Sequence, residues 1–136
     1  MLKKLDHIGI AVADLEAAVE IYKHLTGKSP AHKEVVEAQK VETVFFPVGE
    51  MRLELLKGTA ADSPISKFID KRGEGIHHIC FEVDNLEEAK RELSKHGLQF
   101  IEQTSDKGAG GSRVAFIHPK SSRGILIELV QYSDNT

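Results

Sequence analysis

Apolar and polar residues along this chain follow two alternating periods, and the whole scheme occurs twice. In Leu5–Val12, Ile8, Ile10 and Val12 fall on one side of an extended strand, while Leu5, His7, Gly9 and Ala11 fall on the other. The period then becomes helical: Leu15, Ala18, Val19, Tyr22 and Leu25 form one apolar stripe. Asp14 stands where an N-cap is needed, and Gly27 where the chain must leave the helix left-handed. Strand-like runs follow near His32–Val36, Val41–Val48 and Met51–Leu56.

The second occurrence begins at Ile76. Ile76–Glu87 aligns with Leu5–Glu16 and brings His78 onto His7. Its apolar face is Ile79, Phe81 and Val83, with Ile76, His78 and Cys80 opposite. Leu86, Ala89, Leu93 and Leu98 repeat the helical stripe, with Asp84 or Asn85 as N-cap and Gly97 as the stop. Strands are predicted near Gln99–Gln103, Ser112–Ile117 and Gly124–Gln131. Each half therefore reads β-α-β-β-β, an α+β class. Between them, Ser63 and Pro64 suit an N-cap and first helical position, Ile65, Phe68 and Ile69 give a short amphipathic helix, and Gly73 and Gly75 end it. The predicted organisation is one domain over 1–136: a first module at about 3–57, a linker with a short helix at 58–74, and a second module at about 75–132.

Composition narrows the function classes. The net charge is -3, which argues against a general nucleic-acid or membrane-surface binder. Cys80 is the single cysteine, so neither an intrachain disulfide nor a thiolate metal cluster is expected, and a cytoplasmic setting is the default. The N-terminal residues lack the apolar stretch of a signal peptide, and no apolar run approaches the ~18 residues of a membrane span.

The repeat also places chemistry. His7 and His78 occupy equivalent positions on the strand face turned away from the helices. Glu54 lies between two leucines, and Glu128 lies between Ile127 and Leu129 with Leu126 and Val130 on its own face. A carboxylate on an apolar strand face is costly to bury unless paired or metal-bound. A single strand His or Glu is usually an ordinary surface or core residue. Here one His opens each half and one Glu closes it at nearly the same interval. Halves packed with approximate two-fold symmetry would bring all four to one divalent cation, and such N/O donors suit Co²⁺, Ni²⁺, Zn²⁺, Mn²⁺ or Fe²⁺.

The remaining histidines are weaker candidates. His24 and His96 lie near helix C-termini, where positive charge is favoured. His32 has no evident partner, His77 suits a core or supporting position, and His118-Pro119 suits a turn. Lys107–Arg113 is rich in glycine but lacks the Gly-Lys-Ser/Thr ending and following helix of a nucleotide loop. Two readings stay open: a flexible hairpin, or a flap whose N–H groups grip an anion, with Lys107, Arg113, Lys120 and Arg123 nearby.

These residues resemble a known family. Duplicated β-α-β-β-β halves carrying His, Glu, His and Glu are similar to the vicinal-oxygen-chelate superfamily, which includes glyoxalase I. Leu5–Val12, Asp62–Ile65, Gly75–Ile79, Gly108–Gly111, His118–Ser121 and Gly124–Leu129 resemble its methylmalonyl-CoA epimerases across essentially the whole chain. The resemblance implies two βαβββ modules related by pseudo-two-fold symmetry, forming a curved mixed sheet around a central metal cleft.

It also implies that His7, Glu54, His78 and Glu128 ligate one divalent ion, with Co²⁺ expected and Ni²⁺, Zn²⁺ or Mn²⁺ as alternatives. The implied reaction interconverts (R)- and (S)-methylmalonyl-CoA by proton removal and return at C2 through a metal-stabilised enediolate, with Glu128 and Glu54 as bases. Gly108, Gly110, Gly111, Ser112 and Lys120 are implied contacts for the CoA thioester, and a homodimer is the usual assembly. Some relatives carry Gln in place of Glu54 and a Glu base where Thr43 stands here, beside Glu42. The alternatives are a glyoxalase I-type lactoylglutathione lyase on the same scaffold, or a non-catalytic small-molecule-binding module. Retention of all four ligand types argues against the module, and Glu54 as a fourth ligand argues against a two-His, one-carboxylate dioxygenase.

Overall fold

The alternating and helical patterns become seven strands and three helices in a computed structural model that describes residues 2–103 and 105–133. In chain order they are β1 (Leu2–Ala11), α1 (Leu15–Thr26), β2 (His32–Val36), β3 (Val41–Val48), β4 (Met51–Gly58), α2 (Pro64–Arg72), β5 (Gly75–Val83), α3 (Leu86–Lys95), β6 (Arg113–Ile117) and β7 (Leu126–Gln131). The chain divides into two compact units. His7–His77 forms one, and the described residues before His7 and after His77 form the other.

In the His7–His77 unit the strand order is β2-β3-β4-β1. β1 runs parallel to β4, placing His7 opposite Arg52 and Gly9 opposite Glu54. β3 is antiparallel to β4, with Phe45 opposite Glu54 and Thr43 opposite Leu56. Helix α1 starts as predicted: the Asp14 carboxylate accepts the Ala17 amide at 3.1 Å, and Gly27 takes the left-handed conformation at φ 68°. The helix lays Leu15, Ala18, Val19 and Tyr22 on Val12, Val44, Phe46 and Leu55. Leu25, expected on that stripe, is instead 71% exposed, because it belongs to the last helical turn, beyond the sheet residues that α1 covers. Helix α2 has the predicted Ser63 cap, whose hydroxyl accepts the Ile65 amide, and it ends at Gly73. Gly58 is required where β4 passes this helix, since a Cβ there would collide with the Ser66 and Ser63 hydroxyls.

In the second unit the order is β5-β7-β6. β5 runs parallel to β7, placing Cys80 opposite Glu128, and β6 is antiparallel to β7, placing Phe116 opposite Glu128. Asn85, rather than Asp84, caps α3 by accepting the Glu88 amide at 3.0 Å. Leu86, Ala89 and Leu93 pack on Val83, Ala115 and Leu129. The strand expected near Gln99–Gln103 is reduced to one bridge between Phe100 and Ile117. Two backbone hydrogen bonds form there, Ile101 N to Phe116 O and His118 N to Gln99 O. The Gln103 side-chain amide then donates to the Val114 carbonyl at 2.7 Å, occupying the acceptor that a continuing backbone ladder would use. The Asp106 carbonyl takes the Val114 amide. Among the described residues no helix is long and apolar enough to cross a membrane.

Candidate functional site

Strand alternation buries both predicted glutamates, and each finds its own histidine. In the first unit His7 Nε2 lies 3.1 Å from Glu54 Oε1. In the second, His78 Nε2 lies 3.0 Å from Glu128 Oε1. All four residues are buried, each at most 7% exposed. Register explains the pairs. Parallel pairing sets His7 two residues before the partner of Glu54, and His78 two residues before the partner of Glu128. One imidazole and one carboxylate thus share a face on neighbouring strands in each unit.

An aromatic completes each pair. The Phe45 ring meets His7 edge-on, with centroids 5.5 Å apart and planes at 83°. Phe116 meets His78 in the same way at 6.5 Å and 87°. Both phenylalanines stand opposite their glutamate across the antiparallel pair. Such edge contacts limit ring rotation and keep the imidazole nitrogens directed at the carboxylate.

The donor set fits a divalent cation. Two ligands each about 2.1 Å from one ion and about a right angle apart lie about 3 Å from each other, which is the Nε2–Oε1 spacing in both pairs. In each unit the imidazole nitrogen and the carboxylate oxygen form an N/O donor pair of the kind that suits late first-row metals.

Around Glu54 the structure adds groups absent from the sequence-based ligand set. The Thr43 hydroxyl, wholly buried, donates to Glu54 Oε2 at 2.7 Å. The Arg52 guanidinium lies over the Phe45 ring, 4.1 Å from its centroid, and His32 tilts against the same ring at 6.0 Å. Thr43 and Arg52 carry a signal visible from sequence once register is assigned, because both fall on the Glu54 face. Glu42, next to Thr43, falls on the opposite face with Val44, and Lys33 Nζ lies 3.9 Å from its carboxylate.

The glycine-rich segment is a folded turn. Gly108 N donates to Ser112 O at 2.9 Å, and the buried Ser112 hydroxyl donates to Ala109 O at 2.8 Å. Gly110 and Gly111 take positive φ, which favours glycine. Gly108 has no room for a Cβ, which would sit 2.6 Å from Val114 Cγ1. Arg113, one of the cations considered for an anion, donates to Asp106 at 2.7 Å and to Glu87 at 2.9 Å. That contact holds the Asp106 carboxyl below its ordinary range. Lys120 is exposed, and its backbone amide donates to His118 Nδ1 at 3.1 Å, which gives His118 the expected turn role.

Two of the other histidines, His32 and His77, have structural partners. His32 contacts Glu34 at 2.6 Å, the partner that the sequence did not identify, and His77 packs edge-on against Phe68 of α2 at 4.9 Å. His24 and His96 lie at helix C-termini as expected.

Comparison with known proteins bears on the whole chain. Residues 6–116 match the model of the Glyoxalase/Bleomycin resistance protein/Dioxygenase superfamily. The mitochondrial methylmalonyl-CoA epimerase of Homo sapiens is 39% identical over 131 residues, covering 96% of this chain and 74% of that protein. The crystal structure of methylmalonyl-CoA epimerase from Mycobacterium tuberculosis aligns with a TM-score of 0.91 at 36% identity, over 97% of this chain and 89% of that one. A Streptomyces coelicolor methylmalonyl-CoA epimerase variant in complex with 2-nitronate-propionyl-CoA aligns with a TM-score of 0.92 at 36% identity, over 98% and 97%. The α+β fold class expected from the repeat is that of these structures. On this evidence the chain belongs to the Glyoxalase/Bleomycin resistance protein/Dioxygenase superfamily and, within it, to the methylmalonyl-CoA epimerase family.

Proposed function

We propose that this chain is a metal-dependent epimerase that interconverts (R)- and (S)-methylmalonyl-CoA. The observation that carries the proposal is the duplicated buried pair, His7 with Glu54 and His78 with Glu128. These four residues are candidate ligands of a divalent ion, for which we propose Co²⁺. When bound, the ion supplies a Lewis acid that draws charge from the substrate's oxygens.

The C2–H bond of the substrate lies between a thioester and a carboxylate, so its proton is weakly acidic. One glutamate takes that proton on its carboxylate oxygen, and the electron pair of the broken C–H bond passes into the thioester. The other glutamate, protonated, returns a proton to the opposite face and inverts the centre. Glu128 and Glu54 fill these roles, and each reverses its role for the other epimer. Phe45 and Phe116 meet the His7 and His78 imidazoles edge-on and limit their rotation. Gly108, Gly110, Gly111, Ser112 and Lys120 form the proposed contact region for the CoA thioester. We place the enzyme in the cytoplasm and assign it a homodimer.

Support for the substrate comes from relatives named as methylmalonyl-CoA epimerases and from the CoA-analogue complex of one of them. The glyoxalase I-type alternative is not favoured by these relatives. Proton NMR in D₂O tests the proposal. Wild-type protein is expected to exchange the C2 hydrogen of methylmalonyl-CoA, and EDTA-treated protein is expected to lose that exchange and regain it with Co²⁺. Exchange on a glutathione hemithioacetal but not on the CoA thioester would move the assignment to the lyase.

A further inference from the structure

The two glutamates have different neighbours at one equivalent position. Counting back two residues along the antiparallel neighbour from the phenylalanine opposite each glutamate reaches Thr43 in the first unit and Val114 in the second. Both positions are buried. Thr43 donates its hydroxyl to Glu54 Oε2 at 2.7 Å, whereas the side chain of Val114 carries no hydrogen-bonding group. Oε1 of Glu54 is the oxygen beside His7, so the two carboxylate oxygens have separate partners. A β-branched side chain in a strand has few rotamers, so the hydroxyl is held where it acts.

We propose that Thr43 is a positioning residue for Glu54. Its hydroxyl anchors Oε2 and leaves Oε1 as the single oxygen presented beside His7, which makes Glu54 a one-oxygen ligand and fixes the plane of its carboxylate. The inference rests on the epimerase reading for its kinetic consequence and on geometry alone for its consequence in metal binding. Without the hydroxyl, the carboxylate can turn so that both oxygens compete for one cation, and its buried Oε2 loses a charge-assisted hydrogen bond.

The test is a cycle of four proteins, wild type, T43V, E54Q and T43V/E54Q, each titrated with Co²⁺ by calorimetry and assayed on methylmalonyl-CoA. T43V is expected to weaken Co²⁺ binding and to lower kcat, each by about 10-fold, with KM unchanged. T43S, which keeps the hydroxyl, is expected to restore both. In the E54Q background T43V is expected to change neither. Wild-type values in T43V, or equal losses in both backgrounds, overturn the inference. Should the valine variant fail to fold, T43A set against T43S supplies the same comparison. If the Co²⁺ pattern appears in a protein that does not epimerise methylmalonyl-CoA, the functional reading falls and the positioning role stands. If wild type epimerises and T43V matches it, the reverse holds.

Discussion

The two units carry the same triad, His, Glu and Phe, in the same register, yet in different surroundings. Around Glu54 the equivalent positions hold Thr43 and Arg52, and around Glu128 they hold Val114 and Leu126. The glutamate of the second unit therefore shares its face with an apolar cluster of Cys80, Val114, Phe116, Val130 and Tyr132. The glutamate of the first has a hydroxyl on one oxygen and a guanidinium stacked on the adjacent ring. Duplication explains why the triads match. The differences show that matched triads tolerate unequal surroundings, so the two carboxylates need not be equivalent in the reaction.

The strongest way to break this comparison is to remove one carboxylate at a time. E54Q and E128Q are each expected to suppress epimerisation by about 10²–10⁴-fold, the usual contribution of a general acid or base. Each variant should still wash deuterium into one epimer without inverting it, and the two should act on opposite epimers. Chiral analysis of the product alongside NMR checks this, and circular dichroism verifies the fold. Washout of the same epimer by both variants would remove the two-face assignment.

Smaller changes sharpen the comparison through stability. G108A drives a Cβ into Val114, the counterpart of Thr43, and is expected to cost about 1–3 kcal/mol in thermal unfolding. R52L converts Arg52 into its counterpart, Leu126. It removes the contact with Phe45 and is expected to cost about 0.5–1 kcal/mol, read from urea midpoints. The smallest effect concerns acid. Arg113 keeps the Asp106 carboxyl below its ordinary value, so the pair stabilises the fold above that value, and the contribution is lost as pH falls through the depressed one. D106N should therefore show a flatter decline of Tm than wild type below about pH 4, and only slightly, because the pair is on the surface.

Much of this was legible in the sequence because the repeat is literal. His7 and His78 sit in matching strands, and parallel pairing with β4 and β7 brings Glu54 and Glu128 to them. Caps at Asp14, Ser63 and Asn85 follow from short polar side chains placed just before apolar helical stripes. The strand expected near Gln99–Gln103 shrinks to a single bridge, because β propensity does not reveal a side-chain amide taking the next backbone acceptor, as Gln103 does. The hydrogen bond from Thr43 to Glu54 is not legible in the sequence, because threonine is ordinary in strands. Its role depends on a diagonal neighbour across β3 and β4, and that requires the register. Arg113 looked available to an anion until the fold brought Asp106 and Glu87 to it.

The proposal that His7, Glu54, His78 and Glu128 hold a single divalent ion is open to a direct count. Metal content per chain, measured by mass spectrometry on wild type, H7A and H78A, tests it directly. One divalent ion per wild-type chain is expected, and its loss in either single variant. Two ions per chain, or a full ion retained after one histidine is removed, would contradict it.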